Sequence, residues 1–266
     1  MKIAFIGGGN MGEAMLSAIM DKGLANIKSI VVSDISEARL QYLNQKYDVT
    51  TMNNNRQAAK EGDVVVLAIK PRNLVEVMAE LSGQLKPFQL VLSIIAGAGL
   101  NTLCLGLNHN RIVRVMPNTP AQIGEGMSVW TATAEVTKQQ KAWVSSILGA
   151  MGKEIYVDDE GYIDMATVVS GSGPAYVFLF VESLVEAAVH IGLPQKMAKE
   201  LVLQTVLGSS HLIQRSGKEP AELRRMVTSR GGTTAEALLQ FEKGEFTVLV
   251  KRAVEAAYKR AKGLGS

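Results

Sequence analysis

Short apolar runs alternate with helical patterns over the first part of the chain. The runs with the length and composition of buried strands are residues 2–6, 29–32, 63–69, 89–94 and 111–116. The segments between them carry apolar residues at helical spacing, as in residues 13–21. Buried strands that alternate with helices are typical of a parallel sheet covered on both faces. This half is therefore predicted to be an α/β domain with a doubly wound parallel sheet.

The alternation stops after the acidic residues 158–160, and the remaining pattern is helical. Residues 170–174, SGSGP, predict a helix start with the proline in the first turn. The helix that follows, to about residue 191, is apolar around most of its circumference and must be buried on nearly all sides. Glu182 and Glu186 argue against a membrane span. A helical domain of this size has little material to enclose such a helix, so an obligate homodimer is predicted.

Composition mainly excludes functions. The chain of 266 residues is 47% hydrophobic and 20% charged, which is ordinary for a globular protein of two domains, here residues 1–158 and 159–266. A net charge of +3 with dispersed Lys and Arg argues against nucleic acid as a partner. The only cysteine, Cys104, cannot form an intrachain disulfide, and the first apolar run is too short for a signal peptide. We expect a cytoplasmic protein without a metal site or membrane association.

A glycine-rich turn joins the first predicted strand to the first predicted helix. Residues 7–12, GGGNMG, have the G-x-G-x-x-G spacing of dinucleotide binding in a Rossmann-like domain. The first glycine allows a tight turn, the second lets the backbone approach a pyrophosphate, and the third permits close helix packing. The helix start also attracts phosphates. The expected cofactor contacts here are Gly7, Gly9, Asn10, Met11 and Gly12.

Ser33 and Asp34 end the second predicted strand, where a ribose contact is expected. An acid at this point can accept hydrogen bonds from the ribose hydroxyls of NAD and repel the 2′-phosphate of NADP. Asp34 is equally suited to cap the following helix, and Arg39 is near enough in sequence to reach a 2′-phosphate. The expected cofactor is therefore NADPH or NADH, and the acid slightly favours NADH.

The carboxyl ends of the other strands supply further expected cofactor contacts, because ligands bind at that edge of such sheets. These residues are Ala68, Lys70, Pro71, Ala96, Gly97, Pro117 and Asn118. A lysine at a strand end is more often solvated than catalytic. Lys70 is thus expected to line the site and not to act as an acid.

The sequence VTSRGGTTAEALL, residues 227–239, places two glycines and two threonines before an apolar helical run. It predicts a short helix at residues 220–227, a loop at residues 228–232 and a helix from residue 233 to residue 241. Backbone N–H groups from about Gly231 to Thr234 would then be free to bind a carboxylate. A capped helix after a flexible loop is the simpler alternative. The dinucleotide motif in the same chain favours the anion site.

Residues 220–242, PAELRRMVTSRGGTTAEALLQFE, resemble the signature of pyrroline-5-carboxylate reductases. The runs IGGGNMGEA, AIKP, IIAG, RVMPNTP and SGSGPAYVF resemble other motifs of that family in the same order, so the similarity covers essentially the whole chain. The resemblance implies hydride transfer from NAD(P)H to the C=N bond of 1-pyrroline-5-carboxylate, which gives L-proline in the last step of proline biosynthesis. It also implies dimers of intertwined helices that often associate into rings.

The resemblance further implies roles for individual residues. The hydroxyl of Thr234, the expected catalytic residue, would face and orient the ring nitrogen. The other expected substrate contacts are Thr228, Ser229, Gly231, Gly232, Thr233 and Asn118. The expected adenosine contact is Asn55, and those near the nicotinamide are Ala96, Pro117 and Asn118. Arg230 stands where many members have proline, and Ser33 and Asp34 differ from the phosphate-friendly turn of several relatives.

Two other functions remain open from the residues alone. Hydroxyacid dehydrogenases with a similar two-part build carry G-x-G-x-x-x-K at the first long helix of the second domain. Here Val177 occupies the lysine position, and an apolar residue cannot transfer protons. A non-catalytic NAD(P)-binding sensor would need only the glycine motif. The histidines show no pairing with an acid and are expected to be structural: His109, His190 and His211.

Overall fold

The structure, a computed structural model, describes residues 1–263. The chain divides into two compact units. The first unit runs from Met1 to Ser172 and also includes the described residues from Ala257 to residue 263. The second unit runs from Gly173 to Ala256. The division between residues 158 and 159 stays a prediction based on the change of sequence pattern.

The first unit is built on one eight-stranded sheet. Its strands are β1 Ile3–Ile6, β2 Ile30–Ser33, β3 Thr50–Met52, β4 Val64–Leu67, β5 Leu90–Ser93, β6 Ile112–Met116, β7 Gly126–Ala132 and β8 Gly152–Tyr156. Their order is β3-β2-β1-β4-β5-β6-β7-β8. The strands from β3 to β6 in that order are parallel, β7 runs antiparallel to β6, and β8 is parallel to β7. The predicted doubly wound parallel sheet is confirmed, and β3, β7 and β8 are additions to it.

Helices cover both faces of this sheet, and its central strands are accordingly apolar at nearly every position. In β1, Ile3 and Phe5 belong to one buried cluster and Ala4 and Ile6 to the other, because alternate side chains point to opposite faces. The α-helices of this unit are α1 Asn10–Asp21, α2 Glu37–Tyr47, α3 Asn55–Glu61, α4 Leu74–Leu81, α5 Leu100–Leu107, α6 Lys138–Ala150 and α7 Gly161–Ala166.

The second unit is helical, as the sequence predicts. Its helices are α8 Gly173–His190, α9 Gln195–Ser216, α10 Pro220–Met226, α11 Thr233–Lys243 and the first part of α12 Phe246–Lys262. The predicted helix start at residues 170–174 is confirmed, since α8 begins at Gly173 with Pro174 in its first turn. The helical segments before it, α7 and the π-helical Thr167–Gly171, were not predicted. Pro174 has no N–H for the Ser170 carbonyl. The Asn118 side-chain N–H donates to that carbonyl instead, at 3.2 Å.

Helix α8 has no buried residue within a single chain. Its large apolar side chains that remain exposed are Tyr176, Val177, Phe178, Leu179, Phe180 and Val189. The helical stretch Gly161–His190 is also long and apolar enough to cross a membrane, by length and composition only. Interface and core helices of soluble proteins share this length and composition, so neither property by itself indicates a membrane span. What the exposure requires is a covering surface for α8.

Candidate active site

The glycine turn fits a pyrophosphate. Gly7 has a φ of +100°, and a Cβ there would lie 2.6 Å from the Ala68 carbonyl oxygen, so only glycine is accommodated. A Cβ at Gly12 would lie 2.7 Å from the Gly7 carbonyl oxygen, whereas a Cβ at Gly9 would meet nothing within 4 Å. Gly9 is the N-cap of α1, and because it has no side chain it leaves the first N–H groups of the helix uncapped. The open space therefore lies at the helix N-terminus, where a phosphate binds well.

Helix α1 begins at Asn10, earlier than the start at residue 13 that the pattern predicts. Asn10 and Met11 consequently lie in its first turn. Their backbone N–H groups are helix-terminal donors and not loop donors. The positive end of the helix dipole therefore lies directly at the glycine turn.

Asp34 lies against the glycine turn. Its carboxylate accepts hydrogen bonds from the N–H of Gly8 at 2.8 Å and from the N–H of Ser36 at 2.9 Å. Ser36, and not Asp34, is the N-cap of α2, since its hydroxyl accepts from the N–H of Arg39 at 3.3 Å. Asp34 is therefore not the cap of α2. Its carboxylate remains beside the turn that would hold the cofactor.

Glu13, which sequence reasoning missed, joins α1 to α2. Its carboxylate accepts from the side chains of Tyr42 at 3.1 Å, Lys46 at 2.9 Å, Tyr47 at 2.8 Å and Arg39. Burial alone would raise the pKa of Glu13, but the hydrogen bonds from these side chains lower it to about 2. Glu13 is therefore a carboxylate throughout the physiological range. Its partners all lie on the helix that follows the expected ribose contact.

The remaining expected cofactor residues gather at the carboxyl edge of the sheet. Ala68, Ala96 and Pro117 directly follow or lie just beyond β4, β5 and β6, and Lys70 is exposed. Parallel pairing in register brings these strand ends side by side. Gly97 has a φ of +77°. The edge is thus a continuous surface on which a nicotinamide could lie.

Asn55 and Asn118 have structural hydrogen bonds. The Asn55 side chain accepts from the Ser33 hydroxyl at 2.8 Å and donates to Glu80 at 2.7 Å. The Asn118 side chain accepts from the Met127 N–H at 2.8 Å, in addition to its bond to Ser170. Both amides are therefore held in fixed orientations. Their roles toward adenosine and nicotinamide stay predictions.

A buried guanidinium that sequence reasoning missed lies below this edge. Arg114, on β6, is only 6% exposed and pairs with Glu160 at 2.7 Å and Asp164 at 2.6 Å. Glu160 also accepts from the Leu100 N–H at 2.8 Å. These bonds fix α7 and the loop after β5 against the sheet. A cavity of about 340 Å³ is lined by Gly97, Gly99, Arg114, Glu160, Gly161, Asp164 and Lys262.

The glycine and threonine loop of the second unit has the predicted form. Helix α10 ends at Met226, and α11 begins at Thr233 with Gly232 as an N-cap that makes no side-chain bond. Gly231 has a φ of +70°, which favours glycine. The Thr228 hydroxyl donates to the Arg224 carbonyl oxygen at 2.6 Å.

One expected donor in this loop is already used. The Gly232 N–H donates to the Ser229 carbonyl oxygen at 3.1 Å, so the prediction that it is free is wrong. Within residues 1–263, the N–H groups of Gly231, Thr233 and Thr234 have no backbone acceptor. They lie at the start of an eleven-residue helix, where an anion is stabilised.

A larger cavity of about 820 Å³ also lies in the second unit. Its lining combines apolar and charged side chains: Phe180, Arg224, Arg225, Thr228, Leu238, Phe241, Glu242, Glu245, Phe246, Thr247 and Val248. Of the expected substrate residues, Thr228 belongs to this lining. The cavity is therefore adjacent to the loop and is not formed by the expected carboxylate donors.

Other titratable candidates have structural surroundings. His109 is 8% exposed, and its Nε2 lies 2.8 Å from the Gln89 carbonyl oxygen. Burial lowers the pKa of His109, so the ring is neutral near pH 7. Cys104 is a free thiol whose pKa is raised by burial. Neither group has the exposure or charge that general acid or nucleophilic chemistry needs.

Known proteins resemble this chain along its whole length. A family model described as pyrroline-5-carboxylate reductase dimerisation matches residues 160–264, and one described as NADP oxidoreductase, coenzyme F420-dependent, matches residues 2–97. Pyrroline-5-carboxylate reductase of Synechocystis sp. is 40% identical over 265 residues, covering 100% of this chain and 98% of the relative. The enzyme of Pseudomonas aeruginosa is 39% identical over 261 residues, covering 98% and 95%.

Solved structures agree with these sequence relatives. The pyrroline-5-carboxylate reductase of Coxiella burnetii superimposes with a TM-score of 0.91 at 38% identity, covering 100% of this chain and 98% of that one. The Plasmodium falciparum pyrroline carboxylate reductase with NADP bound gives a TM-score of 0.91 at 33% identity, with the same coverage. The chain therefore belongs to the pyrroline-5-carboxylate reductase family.

Proposed function

We propose that the protein reduces 1-pyrroline-5-carboxylate to L-proline with NAD(P)H, the final step of proline biosynthesis. One observation supports the substrate assignment above the others. Helix α11 begins at a Gly-Gly-Thr-Thr segment without a side-chain cap, inside the family signature. The N–H groups of Thr233 and Thr234 are directed to the start of this helix, where a carboxylate is the fitting ligand.

Anchoring of the carboxylate limits how the substrate ring can lie. Hydrogen bonds to a charged group contribute roughly 1.5–3 kcal/mol each, and a helix terminus adds about 0.3–1 kcal/mol. A few such bonds, less the cost of association, support binding near the millimolar range of about −4 kcal/mol. That strength suits a metabolite that must also leave as product.

The protein supplies orientation more than acid–base chemistry. The chemistry that the cofactor would supply at the carboxyl edge of the sheet is hydride donation, and a protonated cyclic imine is already an electrophile. We propose that the Thr234 hydroxyl orients the ring nitrogen, since a threonine is too weak an acid to protonate it freely. Gly231 and Thr233 hold the carboxylate, and the fixed geometry contributes through proximity.

The cofactor is held by the first unit. We propose that Gly7, Gly9, Asn10, Met11 and Gly12 bind the pyrophosphate, and that Asp34 binds the adenosine ribose. The open space above Gly9 supports the first assignment, and the position of the Asp34 carboxylate against Gly8 supports the second. Ala96, Gly97, Pro117 and Asn118 would hold the nicotinamide.

The protein is a homodimer in which the exposed face of α8 is covered by a second copy. Family-model matches to residues 2–97 and 160–264 support a division into a cofactor domain, residues 1–158, and a dimerisation and substrate domain, residues 159–266. Association of dimers into a ring is a further proposal. Similarity to these reductases indicates a soluble enzyme. We place it in the cytoplasm, without nucleic-acid or membrane partners, because the net charge of +3 is small and Cys104 is a free thiol.

The activity is tested by loss of nicotinamide absorbance when the purified protein is mixed with 1-pyrroline-5-carboxylate and NADH or NADPH. We expect absorbance to fall only when protein and substrate are both present, with L-proline as product. If the protein does not oxidise the cofactor with 1-pyrroline-5-carboxylate but does so with 2-keto acids, it is a hydroxyacid dehydrogenase. Cofactor binding without turnover of any substrate would indicate a sensor.

A further inference from the structure

Arg39 is held at the edge of the glycine turn, beside the carboxylate expected at the ribose. Its Nε donates to the Gly8 carbonyl oxygen and its Nη2 to the Glu13 carboxylate. Its guanidinium carbon lies 4.9 Å from the centre of the Tyr42 ring. Asp34 accepts from the N–H of the same Gly8 at 2.8 Å. Arg39 and Asp34 thus bind the two polar groups of one glycine in the cofactor turn.

The two reduced cofactors differ at this place alone. NADPH carries a 2′-phosphate on the adenosine ribose where NADH has a hydroxyl, and a phosphate needs a cation with N–H groups directed at it. Arg39 binds the same glycine as the Asp34 carboxylate, and its Nε and Nη2 are bound to Gly8 and Glu13. Ile35, directly after Asp34, is 89% exposed and carries no charge.

We propose that Glu13 is a specificity-determining residue: by holding Arg39, it leaves Asp34 to select NADH over NADPH. The inference rests on the proposed NAD(P)H-dependent reaction and names the cofactor of that same site. A ribose with free hydroxyls can donate to the Asp34 carboxylate. A 2′-phosphate would meet that carboxylate, while the positive charge of Arg39 is already paired with the Glu13 carboxylate.

The surroundings of Glu13 explain why Arg39 stays in place. The Glu13 side chain is 16% exposed, and its carboxylate is held by Tyr42, Lys46 and Tyr47 as well. The carboxylate cannot follow Arg39 toward a ligand without losing those bonds. Lys46 is the second cation on Glu13, and its side chain is 48% exposed. Replacement of Lys46 therefore removes a positive charge from Glu13 while Arg39 keeps its contacts.

The test uses binding of adenosine 2′,5′-bisphosphate and of 5′-AMP to the intact protein, measured by calorimetry. These fragments lack nicotinamide, so the result is independent of turnover. We expect 5′-AMP to bind the unmodified protein at least as tightly as the bisphosphate. Glu13→Gln should tighten bisphosphate binding by about tenfold, since a guanidinium becomes available, and leave 5′-AMP within about twofold. Lys46→Met, the matched control, should leave the ratio of the two affinities unchanged.

A second substitution identifies the group that acts. Adding Arg39→Gln to Glu13→Gln should return the ratio to that of the unmodified protein. The proposal is overturned if the bisphosphate binds the unmodified protein about tenfold tighter than 5′-AMP, if Glu13→Gln leaves the ratio unchanged, or if the double variant keeps the gain.

If Glu13→Gln does not fold, Arg39→Met in the otherwise unmodified protein decides the question. Because the charge of Arg39 is already paired with Glu13, Arg39 should contribute little to phosphate binding, and the ratio of affinities should change by less than about twofold. Selective loss of bisphosphate affinity in this variant would overturn the proposal. Reduction of 1-pyrroline-5-carboxylate by either cofactor can succeed whatever the fragment preference, so failure here is distinct from failure of the proposed function.

Discussion

A Cβ atom at Gly232 would lie 2.4 Å from the Ser229 hydroxyl oxygen and 3.3 Å from the Ser229 carbonyl oxygen. A β-branched side chain at this position must displace Ser229 and fill the space before the first N–H groups of α11. Gly232→Val should therefore lower kcat/KM for 1-pyrroline-5-carboxylate by about a hundredfold or more, through loss of charged hydrogen bonds. Gly149→Val is the control, because a Cβ at Gly149 meets nothing within 4 Å. Near-normal kinetics in the Gly232 variant would contradict the site assignment.

Thr234→Ala should reduce kcat/KM by about tenfold, the effect of losing one hydrogen bond that orients the imine. The helix itself should persist, since alanine is favoured inside helices. Thr234→Ser keeps the hydroxyl and should recover most of the activity. Steady-state kinetics with saturating cofactor make the comparison. A serine variant as impaired as the alanine variant would remove the hydroxyl from the mechanism.

Phe178 is 63% exposed on α8 within a single chain. Phe178→Glu should weaken self-association, because a charge in an apolar interface is costly to bury. Multi-angle light scattering at micromolar concentration should show a dimer for the unmodified protein and dissociated or aggregated material for this variant. Gln139→Glu places the same charge on the exposed surface of α6 and should leave the dimer intact. A stable, folded monomer of the unmodified protein would refute the dimer.

Arg114→Met should lower the free energy of unfolding by about 2 kcal/mol, because it leaves the Glu160 and Asp164 carboxylates without their cation. The loss is smaller than for a fully buried pair, since the partner side chains are 34% and 30% exposed. Urea unfolding at one fixed protein concentration measures it. Arg111 directly precedes β6 and is outside this ion-paired group, so Arg111→Met should change the free energy of unfolding less. Equal stabilities would show that the ion pairs contribute nothing.

Burial lowers the pKa of His109 below its usual value of 6.5. The unfolded chain takes up this proton near the usual value and the folded protein only at lower pH, so stability falls as pH drops below about 6.5. His109→Gln should make unfolding less dependent on pH between about 7.5 and 5.5. His190→Gln, at an exposed position, should keep the original dependence. Identical pH profiles for all variants would exclude His109 as the cause.

The parallel part of the sheet could be predicted because its strands are short apolar runs between helical patterns. Strand β7, Gly126–Ala132, was not predicted, since it returns antiparallel to β6 after only a short 3₁₀ helix, Thr119–Ile123. The template of strand, helix and strand contains no such return. Its place beside β6 is a tertiary outcome that local pattern does not encode.

The predicted helix boundaries are least accurate near a glycine and a proline whose surroundings are set by distant parts of the chain. Gly12 lies inside α1, where a Cβ would meet the Gly7 carbonyl oxygen, whereas the low helix propensity of glycine indicates a later helix start. Pro174 correctly indicates the start of α8 at Gly173, but the helical segments before it were not predicted. The Asn118 side chain donates to the Ser170 carbonyl oxygen, to which Pro174 has no N–H to donate. A single sequence cannot show that a distant side chain compensates for a proline.

The loop around Gly231 and Gly232 could be predicted because its glycines, threonines and following apolar run are adjacent in the chain. The groups that sequence reasoning missed join distant segments. Glu13 meets Arg39 on the next helix, and Arg114 meets Glu160 on α7. Opposite charges are common enough that no spacing rule selects these pairs. Only the folded backbone brings them together.

Because the apolar face of α8 is covered only in the dimer, the free energy of unfolding of this enzyme depends on protein concentration. When folding and association are one equilibrium, mass action ties the folded fraction to the amount of chain present. Each tenfold dilution then removes about 1.4 kcal/mol from the stability of the assembled pair. The melting temperature should accordingly rise with concentration, and a cell that makes little of this chain would hold a less durable enzyme.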